Sequence, residues 1–281
     1  MKISSLSQRI VPGLLAGLCL FGSAVAHADS SLKEPLTPIL ADGHRSEVNR
    51  ARDAFRHPVE TLSFFGVKPN QTVIEVTPAP GWYTEVLAPL LKPNGQYIAA
   101  LMSPEGLSER GSNYAKKRLG EYQDKLTKDA AHYDKVKVVQ FVNKSPSFGP
   151  DGSADVVLTF RNVHNWVDGG THAAMFKAMF AVLKPGGVLG VVDHRADKKN
   201  DFKKALELGY LPEDYVIAEL EKVGFKLDAK SDVNNNPKDT KDYEQGVWTL
   251  PPVLALKDVN KAKYLAIGES DRFTLRFVKP K

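Results

Sequence analysis

From residue 71 onward, short apolar runs alternate with helical segments, and this alternation constrains the fold more than any other feature of the sequence. Runs such as Val73-Ile74-Glu75-Val76 and Gly187-Val188-Leu189-Gly190-Val191-Val192 are nearly continuous in apolar content, as strands covered on both faces require. Strands are read at 71–76, 96–101, 136–142, 154–160, 188–192, 225–229 and 273–278. Helices are read at 82–91, 105–131, 172–183 and 212–223. Pro93-Asn94-Gly95 and Lys184-Pro185-Gly186-Gly187 stop two of them, and Gly224 caps the last. Strand–helix alternation implies right-handed crossovers and a doubly wound α/β fold, with a mostly parallel sheet and helices on both faces.

Upstream of that pattern, Ala51, Ala54, Phe55, Val59 and Leu62 give helical spacing over 46–65, which Pro58 divides. Residues 29–44 hold Pro35, Pro38 and Gly43 and read as an irregular arm. The first 28 residues have the pattern of an export signal. Lys2 and Arg9 precede an uncharged stretch over 10–26, and Ala26-His27-Ala28 supplies the small residues for cleavage after Ala28. Pro12, Gly13 and Gly17 argue against a permanent span, so no stable membrane anchor is expected after cleavage, and the protein is expected to be periplasmic. Cleavage removes Cys19, the only cysteine, which leaves no disulfide, thiolate nucleophile or cysteine-bound metal. It also lowers the net charge from +5 to +3 by removing Lys2 and Arg9, which is too mild a balance to argue for nucleic acid. Lys116, Lys117 and Arg118 sit in a mixed-charge helical stretch and read as a solvated face. The expected organisation is a signal peptide at 1–28, an arm and helices at 29–65, and one domain at 66–281 with an insertion at 230–272.

In an open parallel sheet, ligands bind beyond the carboxyl ends of the strands. Three polar segments stand there: 75–84, which contains Glu75, Thr77, Gly81 and Trp82; 160–166, which contains Arg161 and His164; and Asp193-His194-Arg195. A strand running into a helix offers free backbone N–H groups to an anion or a ribose. Neighbouring strands would bring His164 and His194 into one crevice, where an imidazole can serve as a base near neutrality.

These segments resemble the class I S-adenosylmethionine-dependent methyltransferases. The resemblance rests on Glu75 and Gly81 of the first turn, on Gly95-Gln96-Tyr97-Ile98-Ala99-Ala100, and on Asp155-Val156-Val157-Leu158. Val182-Leu183-Lys184-Pro185-Gly186-Gly187-Val188-Leu189 and Gly224-Phe225 extend it, so that it spans about residues 70 to 230. Gly81-Trp82-Tyr83-Thr84 and Gly268-Glu269-Ser270-Asp271-Arg272 are similar, more narrowly, to an exported bacterial subgroup of such proteins. The resemblance implies a Rossmann-like sheet of seven strands with the last antiparallel. It implies S-adenosylmethionine as cofactor, held by Glu75, Thr77, Gly81, Trp82 and, at the adenine, Asn143. Arg161, His164, Asp193 and His194 then face an acceptor of unknown identity, small molecule or otherwise, and no metal is called for.

The sequence departs from the family pattern at three positions. Thr77 and Ala79 replace two glycines of the turn, and Leu101 stands where the family places the acid that grips the ribose. A lost charged hydrogen bond implies cofactor binding weaker by roughly ten- to a hundredfold. The leading reading is a methyltransferase acting after export. The alternative is a non-catalytic periplasmic binding protein that keeps the fold. A third reading, a metal-dependent hydrolase on His164, His194 and Asp193, lacks any HExxH pattern. The insertion at 230–272 begins on the site's side of the sheet and is expected to form a lid, with Asp271 and Arg272 orienting the acceptor or pairing with Arg161 or Asp193. The oligomeric state is not legible.

Overall fold

The computed structural model describes residues 32–78 and 80–281. The expected signal segment at 1–28 and Ala79 of the first turn lie outside the described residues. Seven strands form one sheet in the order β3-β2-β1-β4-β5-β7-β6. They are β1 (Thr72–Val76), β2 (Gln96–Met102), β3 (Lys137–Phe141), β4 (Ala154–Phe160), β5 (Leu183–His194), β6 (Lys226–Ser231) and β7 (Arg272–Val278). All run parallel except β7, which inserts antiparallel between β5 and β6.

The apolar runs are continuous because both faces of the sheet are covered. On one face Val73, Val156 and Leu158 meet Leu62, Phe65 and Leu87. On the other, Ile74, Val157 and Leu189 meet Met175, Phe176 and Leu220. Alternate residues of one strand therefore enter opposite cores, as a period of two demands.

Four short helices precede the sheet: α1 (Lys33–Ala41), α2 (Glu47–Arg50), α3 (Asp53–Arg56) and α4 (Pro58–Phe64). The first corrects the expected irregular arm. Pro35 lies in the first turn of α1, where a missing N–H costs little, and buried Leu36 anchors the helix. The division at Pro58 is as expected: His57 ends α3 in a left-handed conformation, and Pro58 starts α4. The crossovers carry α5 (Thr84–Leu91), α6 (Glu109–Lys128), α7 (Ala130–Tyr133), α8 (Val163–Asp168), α9 (His172–Val182), α10 (Phe202–Glu207) and α11 (Glu213–Val223). Gly224 closes α11 at φ 111°, a conformation open to glycine. The insertion holds a 3₁₀ turn at Gly246–Thr249 and α12 (Lys261–Ile267). It has a small core of its own, Tyr243, Leu250 and Tyr264. No helix among the described residues is long and apolar enough to cross a membrane.

Candidate active site

The chain winds outward from β1 through β2 to β3 in one direction and from β4 to β5 in the other. The order therefore reverses between β1 and β4, which opens a crevice at their carboxyl ends. The first residue beyond each of these strands, Thr77 and Arg161, has a positive φ, 59° and 60°. Side chains with a Cβ avoid that region, and such strain persists only when neighbours hold it. Here the Thr77 N–H donates to the Ala100 carbonyl at 2.8 Å and the Arg161 N–H to the Val192 carbonyl at 2.7 Å. The Asn162 amide ties the two ends together by donating to the Val76 carbonyl at 3.1 Å.

Two adjoining cavities fill the crevice, of about 490 Å³ and about 390 Å³. Both touch Thr77, Tyr114, Arg118, Arg161, Pro252 and Val253, so they form one cleft of a size suited to a small ligand.

The larger cavity is lined by Leu101, Asn143, His164 and His194, with Trp166 and Trp248 among its apolar walls. Two buried acceptors border it without a hydrogen-bond partner among the described residues: Thr77 Oγ1 and Asn143 Oδ1. Buried polar atoms are normally paired, so both suit donors on a ligand. Leu101 presents no polar atom to the cavity.

His164 is held by Asp193. Its Nδ1 lies 2.8 Å from Asp193 Oδ1, and its backbone N–H donates to Oδ2 at 3.1 Å. The His194 N–H also donates to Oδ1, at 2.7 Å. Asp193 is fully buried and lines neither cavity, which corrects its expected place facing the acceptor. It acts on His164 from behind, fixing the tautomer with the proton on Nδ1 and leaving Nε2 as the basic nitrogen. His194 Nδ1 is 2.5 Å from Ser270 Oγ, and the two imidazole rings are 5.1 Å apart. Burial, then the neighbouring His164 and Arg161, push the His194 pKa well below its ordinary 6.5, so this ring is neutral at pH 7.

Ligand atoms of His164, Asp193 and His194 lie within 4.8 Å of one another, close enough for a metal to be considered. Both Asp193 oxygens and both Nδ1 atoms are already spent on the bonds just described, which leaves the two Nε2 atoms alone for an ion. A structural zinc site takes four ligands and a catalytic one three from the protein.

The smaller cavity is lined by Glu75, Trp82 and Arg161, together with Arg52, Arg56 and Arg272. Glu75 accepts from the Tyr97 hydroxyl at 2.5 Å, and burial raises its pKa from the ordinary 4.5 to about 7 against the lowering effects of Tyr97 and Arg56. Trp82 donates from Nε1 to the Asn49 carbonyl at 2.9 Å, and the guanidiniums of Arg45 and Arg56 sit 5.2 Å and 4.8 Å from its ring centre. Gly81 lines neither cavity. It makes the turn at φ 90°, and a Cβ there would meet Thr84 Oγ1 and Tyr122 at 3.2 Å.

The pairs expected of the insertion are replaced by others. Asp271 accepts from the Asn236 N–H at 3.0 Å and lies 3.0 Å from Lys241 Nζ, and it makes no bond to Arg161 or Asp193 among the described residues. Arg272 is buried and pairs with Glu269 at 3.1 Å. The insertion does wall the larger cavity, through Val247, Trp248, Pro251, Pro252 and Val253. Arg118 also departs from its expected solvated face: it pairs with Glu121 at 2.9 Å yet borders both cavities. Arg52 and Arg56 carry no motif in the sequence, and Glu269 stands in the Gly268-Glu269-Ser270-Asp271-Arg272 segment with no role assigned to it. They come together only in three dimensions, since Arg52 and Glu269 are 217 residues apart.

No protein-family model matches the chain, and no curated protein sequence matches it. Solved structures do. A SAM-dependent methyltransferase from Aquifex aeolicus is 18% identical, with 89% of this chain and 97% of that chain covered at a TM-score of 0.52. The [4+2]-cyclase SpnF is 15% identical, with 89% and 93% covered at 0.55. A putative sarcosine dimethylglycine methyltransferase from Galdieria sulphuraria is 14% identical, with 82% and 85% covered at 0.53. A cyclase among them illustrates that a fold hosts more than one chemistry. Over more than four-fifths of its length, the chain has the Rossmann-like methyltransferase fold.

Proposed function

We propose that the protein is an S-adenosylmethionine-dependent methyltransferase that acts after export on an acceptor placed at His164. The observation that carries this reading is that His164, held by Asp193, lines the same cavity as two acceptors with no partner among the described residues, Thr77 Oγ1 and Asn143 Oδ1. Those two atoms fit donors of the cofactor, Asn143 toward the adenine amino group and Thr77 toward the amino-acid end. The cofactor, when bound, supplies an electrophilic methyl group on a sulfonium.

The chain's own residues do the rest by positioning and by moving a proton. His164 Nε2 accepts the proton that the acceptor gives up, and the imidazolium so formed is stabilised by the Asp193 carboxylate. His194, neutral and held by Ser270, offers a second polar contact to the acceptor. Trp166, Trp248 and the Pro251-Pro252-Val253 segment exclude water, and the insertion closes further when the ligands are in place. Besides accepting from two backbone N–H groups, Asp193 orients the His164 imidazole, and this pairing at the cavity favours a catalytic base over a non-catalytic binder. Action after export rests on the leader pattern that ends at Ala28.

The test uses cofactor labelled in its methyl group, incubated with the purified protein and a periplasmic small-molecule extract. We expect label in a new product, and His164→Ala to lower its formation by roughly a hundredfold or more, with cofactor binding unchanged. Equal loss of both in His164→Ala would give that residue a structural role and contradict the assignment.

A further inference from the structure

The smaller cavity carries far more positive charge than its surroundings offset. Arg52, Arg56 and Arg272 all reach one carboxylate, Glu269, at 2.7 Å, 3.1 Å and 3.1 Å. Arg161 stands 3.7 Å from the same group and makes no hydrogen bond through its guanidinium among the described residues. Four cations thus share one anion. Glu75 is the only acid lining the cavity, and even if it is counted as charged, two positive charges stay uncompensated. Burial and the neighbouring arginines press on these groups: Arg161 falls from the ordinary 12.5 to about 9, burial being the larger cause. Arg52 Nη2 is buried without a partner among the described residues.

A guanidinium left unpaired in a partly buried site is costly, and its planar fork matches carboxylate and phosphate oxygens. The cofactor named above does not supply the missing charge. It carries a sulfonium and an ammonium against one carboxylate, so it enters the cleft as a net cation.

We propose that the cluster of Arg52, Arg56, Arg161 and Arg272 is a subsite for a multiply charged anionic group, phosphate or paired carboxylates, carried by the acceptor. The assignment of that group to the acceptor rests on the methyltransferase reading; the anion site does not. The smaller cavity adjoins the larger through Thr77 and Arg161, so an acceptor anchored there by its anion extends toward His164. The anion also removes the repulsion that the cluster exerts on a cationic cofactor, so the two ligands reinforce each other, and this coupling is reciprocal.

The test is calorimetric titration of the purified protein at low salt with inorganic pyrophosphate and with citrate, each with and without S-adenosylmethionine. We expect at least one anion to bind, and its affinity to fall roughly ten- to a hundredfold in Arg161→Gln and in Arg52→Gln. We also expect a saturating anion to tighten the cofactor. The tighter of the two anions tells phosphate from carboxylate. Arg118→Gln, at the rim, serves if a cluster variant does not fold, and it should weaken the anion severalfold. Cofactor binding with no response to either anion overturns the inference and leaves the methyltransferase reading standing. Anion binding that is sensitive to these arginines, in a protein that ignores the cofactor, supports the subsite and removes the methyltransferase reading. Competition between anion and cofactor overturns the inference, because the cluster then holds the cofactor's own carboxylate.

Discussion

At the scale of single residues, the wall of the cleft is apolar at β2, where the resemblance drawn from the sequence implies an acid. Leu101, next to last in β2, sets an apolar side chain, 3% exposed, on the wall of the larger cavity. On the proposed reading, we expect Leu101→Asp to tighten cofactor binding roughly tenfold, because it supplies a charged acceptor where a ribose would lie. A folded variant with unchanged affinity would place the cofactor elsewhere. Glu75 gives a second prediction. Its folded pKa, about 7, is raised above the ordinary 4.5, so its contribution to stability is complete below about pH 4.5 and is lost as pH rises through 7. The loss amounts to about 3 kcal/mol across that window. Glu75→Gln cannot ionise and still accepts from Tyr97. Chemical denaturation should therefore show the variant gaining on the wild type as pH goes from 4.5 to 7.5; parallel pH profiles would contradict this. The placement of Glu75, Thr77, Arg161, His164 and His194 at the cleft was legible at this scale, because each lies at or shortly beyond the carboxyl end of a strand, and those ends converge. Asp193 was legible as a residue near the end of β5, but not as one buried behind His164, since that depends on the segment that follows β4.

At the scale of elements, β5 shows what a local reading misses. Its apolar run ends at Val192, yet the strand continues to His194, because antiparallel pairing with β7 sets Asp193 opposite Phe273 and His194 opposite Arg272. The helix α1 was missed for a related reason: buried Leu36 holds a segment whose prolines suggested a loop. The insertion could be read as long but not as folded, since its core joins Tyr243, Leu250 and Tyr264 across irregular chain. Its attachment near α10 rests on Gly246, at φ 52°, where a Cβ would meet the Leu208 carbonyl oxygen at 2.2 Å. We expect Gly246→Ala to cost about 3 kcal/mol and to speed proteolysis within 236–270, with Trp248 fluorescence shifting as its wall loosens. Stability and cleavage rates equal to wild type would detach the insertion from this anchor.

At the scale of the whole molecule, one sheet with two covered faces brings five strand ends together, and the reversal between β1 and β4 fixes where the cleft opens. The likeness to solved methyltransferase structures reaches most of the chain at low identity, so fold and chemistry part at this scale. The claim on which the proposed function depends is that the cleft takes S-adenosylmethionine. Calorimetric titration of the purified protein with that compound and its demethylated product measures this directly. We expect one-to-one binding of both, weakened roughly fivefold in Asn143→Ala by loss of one neutral hydrogen bond. Binding of neither compound at millimolar concentration, or binding that Asn143→Ala and Leu101→Asp both leave untouched, would contradict it.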